Sequence, residues 1–108
     1  MSSEYVIVLT TFPDQLGAEK LAGELVTNQL AACVNILPKM VSIYEWQEKL
    51  EKGQEHQMVI KTRSQLVPKI EQLISKQHPY ELAELLVLPV VSGSKDFLTW
   101  ITETTHEK

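Results

Sequence analysis

The sequence predicts an α+β fold in which an antiparallel sheet carries helices on one face. Short apolar runs typical of strands alternate with longer stretches whose apolar residues recur every three or four positions. A charged segment at 47–54 separates two strand patterns, and so short a connection allows only antiparallel pairing. A chain of 108 residues has the length of one domain, so we expect a single domain over 1–108.

The first half of the chain predicts a buried strand, a helix and a long strand. Tyr5–Thr11 is a continuous apolar and β-branched run, which indicates a strand in the centre of the sheet. Asp14 follows Pro13 and is the expected N-cap of a helix that ends near Asn28. Within the stretch Leu30–Trp46, the residues from Cys33 onward have apolar side chains on both sides of their alternation, which predicts one long strand that packs on both faces.

A hairpin and a second helix follow. Gln47–Gln54 is charged and contains Gly53, so we expect an exposed hairpin tip there. The alternation over Glu55–Thr62 predicts a returning strand with His56, Met58, Ile60 and Thr62 on one side. Ser64 is the expected N-cap of the next helix, which closes at the segment Gln77–Tyr80.

The chain ends with one more strand and one more helix. Glu84–Val91 is an apolar run whose Pro89 indicates an edge strand or a bulge. Ser92-Gly93-Ser94 caps a last helix, and the polar tail Thr102–Lys108 is expected to fray. The complete order is the ferredoxin-like βαββαβ pattern with an extra C-terminal helix.

This topology leaves one face of the sheet without helices. Right-handed connections place both crossover helices on the same face. The first and last strands are nevertheless apolar on both of their sides. An uncovered apolar face of several hundred Å² marks an association surface, so we expect a homo-oligomer.

Composition excludes several classes of function. A net charge of −4 argues against a nucleic-acid partner, and no apolar run approaches the roughly 18 residues of a membrane helix. Cys33 is the only cysteine, which excludes a disulfide framework, a CxxC pair and a thiolate-rich zinc site. The first residues lack the pattern of a secretory signal, so we expect a cytoplasmic location.

Several motifs in the expected order resemble the CutA family of divalent-cation tolerance proteins. They are LAACVNILPKMVSIYEW at 30–46, MVIKT at 58–62, HPYE at 78–81 and LLVLPV at 85–90. The resemblance runs from about Val6 to Trp100. It implies a compact homotrimer, similar in architecture to PII proteins, whose long strands pair between subunits. It also implies binding of copper and other divalent cations, cytoplasmic residence in bacteria and a role in metal tolerance.

His78 in the HPYE motif is the first candidate metal ligand, because neutral imidazole suits copper and zinc. The alternative is that HPYE forms a rigid corner between helix and strand. Some relatives carry a second histidine and a thiol where this chain has Gln77 and Thr10. With one imidazole per subunit, strong binding would need symmetry-related copies or carboxylates such as Glu81, so we expect weak copper binding.

The other cysteine and histidine positions are weaker candidates. Cys33 could bind Cu(I), although a lone cysteine in an apolar strand is more often a small buried hydrophobe. We expect His56 at the surface or an interface and His106 in the frayed tail, and we assign neither a chemical role.

A second candidate site is a ligand cleft between subunits. Its residues stand at predicted strand ends or after the second helix: Tyr44, Trp46, Lys61, Thr62, Tyr80 and Glu81. Aromatic walls with one cation and one carboxylate suit a small anionic ligand, which Lys61 would hold and Trp46 would stack upon. The alternative is that these side chains only pack an interface.

The sequence shows no signature of an enzyme. No nucleophile and base stand in a known local motif. Arg63, the only arginine, lacks the glycine neighbours of a phosphate-binding loop, and glycine-rich phosphate loops are absent elsewhere in the sequence. We therefore expect a non-enzymatic, trimeric divalent-cation tolerance factor. The alternative is a PII-like sensor, in which a small anionic ligand in the cleft changes the hairpin tip.

Overall fold

The computed structural model describes residues 3–106, and within that range it contains five strands and three α-helices. In chain order they are β1 (Tyr5–Phe12), α1 (Gln15–Thr27), β2 (Cys33–Ile36), β3 (Met40–Trp46), β4 (Lys49–Arg63), α2 (Val67–Gln77), β5 (Leu86–Pro89) and α3 (Lys95–Thr104). The strand order is β2-β4-β1-β5, β3 also pairs with β4, and every pairing is antiparallel. The predicted α+β fold is confirmed. No helix in the described range is long and apolar enough to span a membrane.

The core lies between the sheet and the pair of helices α1 and α2. β1 and β4 form the centre, where Val8 stands opposite Ile60 and both side chains are fully buried. The same face of the sheet and the facing helices supply the other core side chains, which include Val6, Leu21, Leu25, Met58, Leu66, Ile70 and Ile74. The predicted central position of the first strand is therefore confirmed.

The two crossover helices begin in different ways. Asp14 caps α1 as predicted, and its Oδ2 accepts a hydrogen bond from the Gly17 N–H at 2.8 Å. Ser64 does not cap α2. It begins a short 3₁₀ turn, Ser64–Leu66, and α2 then starts with Pro68 in its first turn and no side-chain cap. A proline in the first turn is tolerated because that N–H has no partner within the helix.

The long strand predicted from Cys33 to Trp46 is wrong as a single element. It is divided into β2 and β3 by the segment 37–39, which contains Pro38. Both strands pair with β4, but the register moves by one residue, from Ile36 opposite Met58 to Met40 opposite Glu55. The Leu37 N–H still donates to the Gln57 carbonyl at 2.9 Å, but the Leu37 carbonyl accepts from the His56 ring, so the ladder changes its pattern at this segment.

The predicted eight-residue hairpin tip is also wrong. β3 and β4 are joined by a two-residue turn, Gln47 and Glu48, both with positive φ (52° and 67°). This is the backbone that a tight hairpin turn requires. Lys49–Gln54 continues β4, and Gly53 lies in the ladder opposite Ser42. Charged residues suit an exposed strand as well as a loop, so composition alone did not distinguish the two.

The second face of the sheet is partly covered by α3. The Tyr5 and Thr102 hydroxyls are hydrogen-bonded at 2.6 Å, and Arg63 Nε donates to Thr105 Oγ1 at 2.8 Å. Thr105 is fully buried. The predicted fraying is therefore wrong for Thr102–Thr105, and Glu107 and Lys108 lie outside the described residues. β5 is an edge strand, as Pro89 predicted, although it is shorter than the predicted run.

Candidate functional site

His78 is a buried corner residue at the end of α2. Its ring lies between Phe12 and Tyr80, with centroid distances of 4.9 and 4.7 Å. Nδ1 accepts a hydrogen bond from the Tyr80 N–H at 3.1 Å, and Nε2 donates to the Thr11 carbonyl at 2.6 Å. A backbone N–H can only donate and a carbonyl can only accept, so these bonds fix the neutral ring with its proton on Nε2.

This arrangement agrees with a rigid helix-to-strand corner and does not favour His78 as a metal ligand. A ligand nitrogen needs a free lone pair, and the lone pair on Nδ1 is occupied by the Tyr80 N–H. Ligation at either nitrogen would therefore break a buried hydrogen bond. His78 as a metal ligand stays a prediction, and it requires that one of these two hydrogen bonds is given up.

The neighbouring candidates do not complete a metal site within one chain. Cys33 is half-buried at the start of β2, opposite Lys61, and forms no disulfide. Thr10 is fully buried, and its hydroxyl has no hydrogen-bond partner in the described part of the chain. No group of three His, Cys, Asp or Glu side chains in residues 3–106 is arranged to hold a metal ion.

His56 is buried within the single chain, so a surface position is wrong, while the alternative of an interface position stays a prediction. It lies on the core side of β4, is only 5% exposed, and its Nδ1 donates to the Leu37 carbonyl at 2.9 Å. No described residue is hydrogen-bonded to its Nε2. Within residues 3–106, Thr10 Oγ1 is the one fully buried side-chain N or O atom that has no hydrogen-bond partner. His56 Nε2 is not in that class, so it keeps some contact with solvent.

His56 is one of the residues that line a groove of about 720 Å³ between the start of α1 and the segment that joins β2 to β3. The groove also contains Pro13, Asp14, Gln15, Glu19 and residues 36–39. Glu19 accepts a hydrogen bond from Gln15 Nε2 at 2.9 Å, and Lys39 is the one cation among the lining residues. The alternation of His56 with Met58 and Ile60 was the sequence signal for this buried position.

The six residues of the predicted ligand cleft do not converge within one chain. Thr62 points into the core, where it is fully buried and donates to the Leu30 carbonyl at 2.6 Å, so its assignment to a cleft is wrong. Lys61 lies over the Phe97 ring at 5.9 Å. Trp46 pairs with Lys49, twelve residues before Lys61 on β4, which corresponds to about 40 Å of strand.

Tyr44 and Tyr80 are the part of that cleft that the structure brings together. Burial raises the pKa of the Tyr80 phenol, and the negative charges of Glu55 and of ionised Tyr44 raise it further. The Ser42 hydroxyl donates to Glu55 at 2.5 Å on the same side of the hairpin. Glu81 is exposed. The charge beside the two phenols is thus a carboxylate, which disfavours an anionic ligand at this point.

The chain matches known proteins over nearly its whole length. Residues 6–104 match the family model described as CutA1 divalent ion tolerance protein. The divalent-cation tolerance protein CutA of Pectobacterium atrosepticum is 45% identical over 96 residues, which cover 89% of this chain and 87% of the relative. Protein CutA of mouse and of human are each 43% identical over 96 residues and 89% of this chain. The chain spans about half (54%) of the length of these two relatives.

The fold also agrees with solved structures over nearly the whole chain. The crystal structure of CutA1 from the psychrotrophic bacterium Shewanella sp. SIB1 superposes with a TM-score of 0.96 at 36% identity, and covers 99% of this chain and 100% of that one. The structure of CutA1 from Oryza sativa gives a TM-score of 0.94 at 32% identity, with 99% and 98% coverage.

Proposed function

Because the chain belongs to the CutA1 divalent ion tolerance family, we propose that it takes part in divalent-cation tolerance by binding the ions, without catalysing a reaction. The observation that carries the proposal is the match over residues 6–104, together with 45% identity to a protein named for divalent-cation tolerance. Cu²⁺ is the ion we propose first, because nitrogen and oxygen ligands bind it most tightly among the first-row divalent metals.

A role without catalysis is supported by the hydrogen bonds of His78. A general base needs a nitrogen that is free to accept a proton from a substrate. Both ring nitrogens of His78 are hydrogen-bonded to the backbone instead. The carboxylate beside Tyr44 and Tyr80 belongs to Glu55, which accepts from Ser42. These contacts suit a packed corner rather than a reaction centre.

We also propose that the protein acts as a homotrimer. The β3–β4 hairpin extends beyond the sheet, and Val41, Ile43 and Leu50 on one of its faces are 51%, 67% and 81% exposed. A two-stranded hairpin is marginally stable without a packing partner, and an apolar surface of this kind favours association. Leu86 and Leu88 are exposed on the edge strand β5. Three copies is the number that the family resemblance implies.

The test of ion binding is calorimetry on metal-free protein. We expect heat of binding on titration with CuCl₂ or ZnCl₂ and none with MgCl₂, because magnesium prefers oxygen ligands and retains its water. Bacteria that express the chain should also grow better in toxic copper than cells with the empty vector. Absence of binding heat for both transition metals, with no growth difference, would refute the proposal.

The cytoplasmic location stays a prediction. Fractionation of the expressing cells, followed by detection of the chain in each fraction, tests it directly. Recovery outside the cytoplasmic fraction would contradict it.

A further inference from the structure

Lys61 is a cation on the second face of the sheet with no anion beside it. It lies on β4, directly opposite Ile7 of β1 and Cys33 of β2, and directly opposite residues of an antiparallel pair share one face of the sheet. Lys61 is partly buried, and its ammonium group forms no ion pair and no hydrogen bond within residues 3–106. The three N–H donors of this group are therefore not used by the described residues.

Helix α3 supplies an aromatic wall beside this ammonium group. Nζ of Lys61 lies 5.9 Å from the centre of the Phe97 ring. The centre of the Trp100 ring is 5.4 Å from that of Phe97, with an angle of 41° between the two planes. Phe97 and Trp100 are three residues apart and so share one side of the helix. The helix buries Ile101 instead, which leaves both aromatic rings exposed in the single chain.

Arg63 shows what a cation with a structural task looks like on the same face of β4. Its Nε donates to Thr105 Oγ1 at 2.8 Å, and its Nη2 donates to the Thr105 carbonyl at 2.5 Å, so the guanidinium group holds the end of α3. Lys61, two residues earlier, has no comparable partner among residues 3–106. An ammonium group costs free energy when its surroundings are covered, unless an anion is paired with it.

We propose that Lys61, Phe97 and Trp100 form a binding site for a small aromatic carboxylate. The carboxylate of the ligand accepts hydrogen bonds from the Lys61 ammonium group, and its ring packs against the two aromatic side chains. One cation matches one negative charge, so a monocarboxylate fits the site better than a phosphate ester with two charges. The site is independent of the proposed ion binding. It keeps Lys61 from the predicted cleft, and Trp100 takes the stacking role predicted for Trp46.

The test is fluorine NMR on the whole protein labelled with 5-fluorotryptophan, with sodium benzoate as the probe. The chain contains two tryptophans, so two signals are expected, and Trp46→Phe assigns them. Benzoate should shift the Trp100 signal along a saturable curve and leave the Trp46 signal unchanged. Benzamide has the same ring without the charge. It should bind about tenfold more weakly, because hydrogen bonds to charged groups contribute more than those between neutral groups.

Substitution of the cation provides the second part of the test. Lys61→Gln should weaken benzoate binding by about tenfold, because it removes the charge that holds the carboxylate. Lys61→Arg keeps the charge and should bind benzoate within about threefold of the wild-type affinity. Lys20→Gln is the matched control, since it removes an exposed lysine of α1 on the other face of the sheet, and it should keep the wild-type affinity.

Comparison of benzoate with benzamide on the wild-type chain keeps the test decisive if Lys61→Gln fails to fold. Equal binding of both probes, a shift of the Trp46 signal at lower benzoate concentration, or an unchanged affinity in Lys61→Gln would overturn the inference. Absence of any shift, together with weaker self-association of Lys61→Gln, would also overturn it and would assign the ammonium group to a carboxylate of a second copy of the chain.

Discussion

Replacement of Ile43 by aspartate should dissociate the proposed trimer. Ile43 is 67% exposed on β3, and Val41 and Leu50 lie beside it on the same face of the hairpin. In the trimer we expect this face to be covered by a neighbouring subunit. A carboxylate there would have to lose its water without gaining a partner.

The magnitude follows from the exposed fraction of the side chain. Complete burial of an isoleucine contributes about 1.5–3 kcal/mol, so the exposed two-thirds leaves about 1–2 kcal/mol for burial by a neighbour. Three equivalent sites give about 3–6 kcal/mol per trimer, which corresponds to roughly 10²–10⁴ in the dissociation constant. The cost of burying the charge adds to this, so the estimate is a lower bound.

Sedimentation velocity at micromolar protein is the assay. The wild-type chain should sediment as a species of about 37 kDa, three times the 12.3 kDa of one chain, and Ile43→Asp should move towards 12.3 kDa. Gln72→Asp is the matched control, because it makes the same charge change at an exposed position of α2. A folded Ile43→Asp variant that stays trimeric at the same concentrations as the control would refute the reasoning and exclude this face as the interface.

Three further predictions concern stability and titration. Thr10→Val should raise the free energy of unfolding by about 1 kcal/mol in urea, because it removes a buried hydroxyl without a partner; an equal or lower value would contradict this. Glu48→Gly should stabilise the protein by about 1 kcal/mol, since glycine adopts positive φ without strain, and an unchanged midpoint of thermal unfolding would oppose it. The raised pKa of Tyr80 means that its contribution to stability is complete below about pH 10 and is lost as the pH rises through the folded-state pKa. Glu55→Gln should lower the pKa of the Tyr80 phenol, because it removes one of the negative charges that raise it. The pKa is followed as the absorbance difference at ~295 nm between matched chains with Tyr80 and with Tyr80→Phe. An unchanged pKa in Glu55→Gln would remove Glu55 as a cause.

The sequence predicted the elements whose periodicity is set by one buried face. The run at Tyr5–Thr11 and the alternation over Glu55–Thr62 identify the two central strands, because each buried side chain recurs at the period of a strand. Asp14 marks the start of α1 because its side chain accepts a hydrogen bond from the first turn. In each case the signal is local and the structure needs no distant residue to explain it.

Features that depend on contacts between distant residues were not predictable in this way. The long strand is divided at the segment that contains Pro38, and the one-residue change of register that accompanies the division becomes visible only when β4 is placed beside it. The tight turn at 47–48 lacks the usual glycine or asparagine, so its position was hidden within a charged segment. Thr105 looks like part of a polar tail until Arg63 is placed against it.

The candidate metal ligand shows the same limit most clearly. His78 stands in a conspicuous motif, yet the bonds to Thr11 and Tyr80 that occupy its nitrogens come from the fold. His56 has no motif around it, and its burial becomes apparent only when the Leu37 carbonyl is seen to accept from its ring. Residue type identified the possible ligands, and the fold decides which of their nitrogens are already hydrogen-bonded.

The central claim is that this chain is a self-associating protein that binds divalent transition metals. Native mass spectrometry of the metal-free chain, followed by addition of one equivalent of CuCl₂ per subunit, tests both parts in one measurement. We predict a species of three 12.3 kDa chains that gains up to three copper ions. Single chains, or a trimer whose mass copper leaves unchanged, would contradict the account.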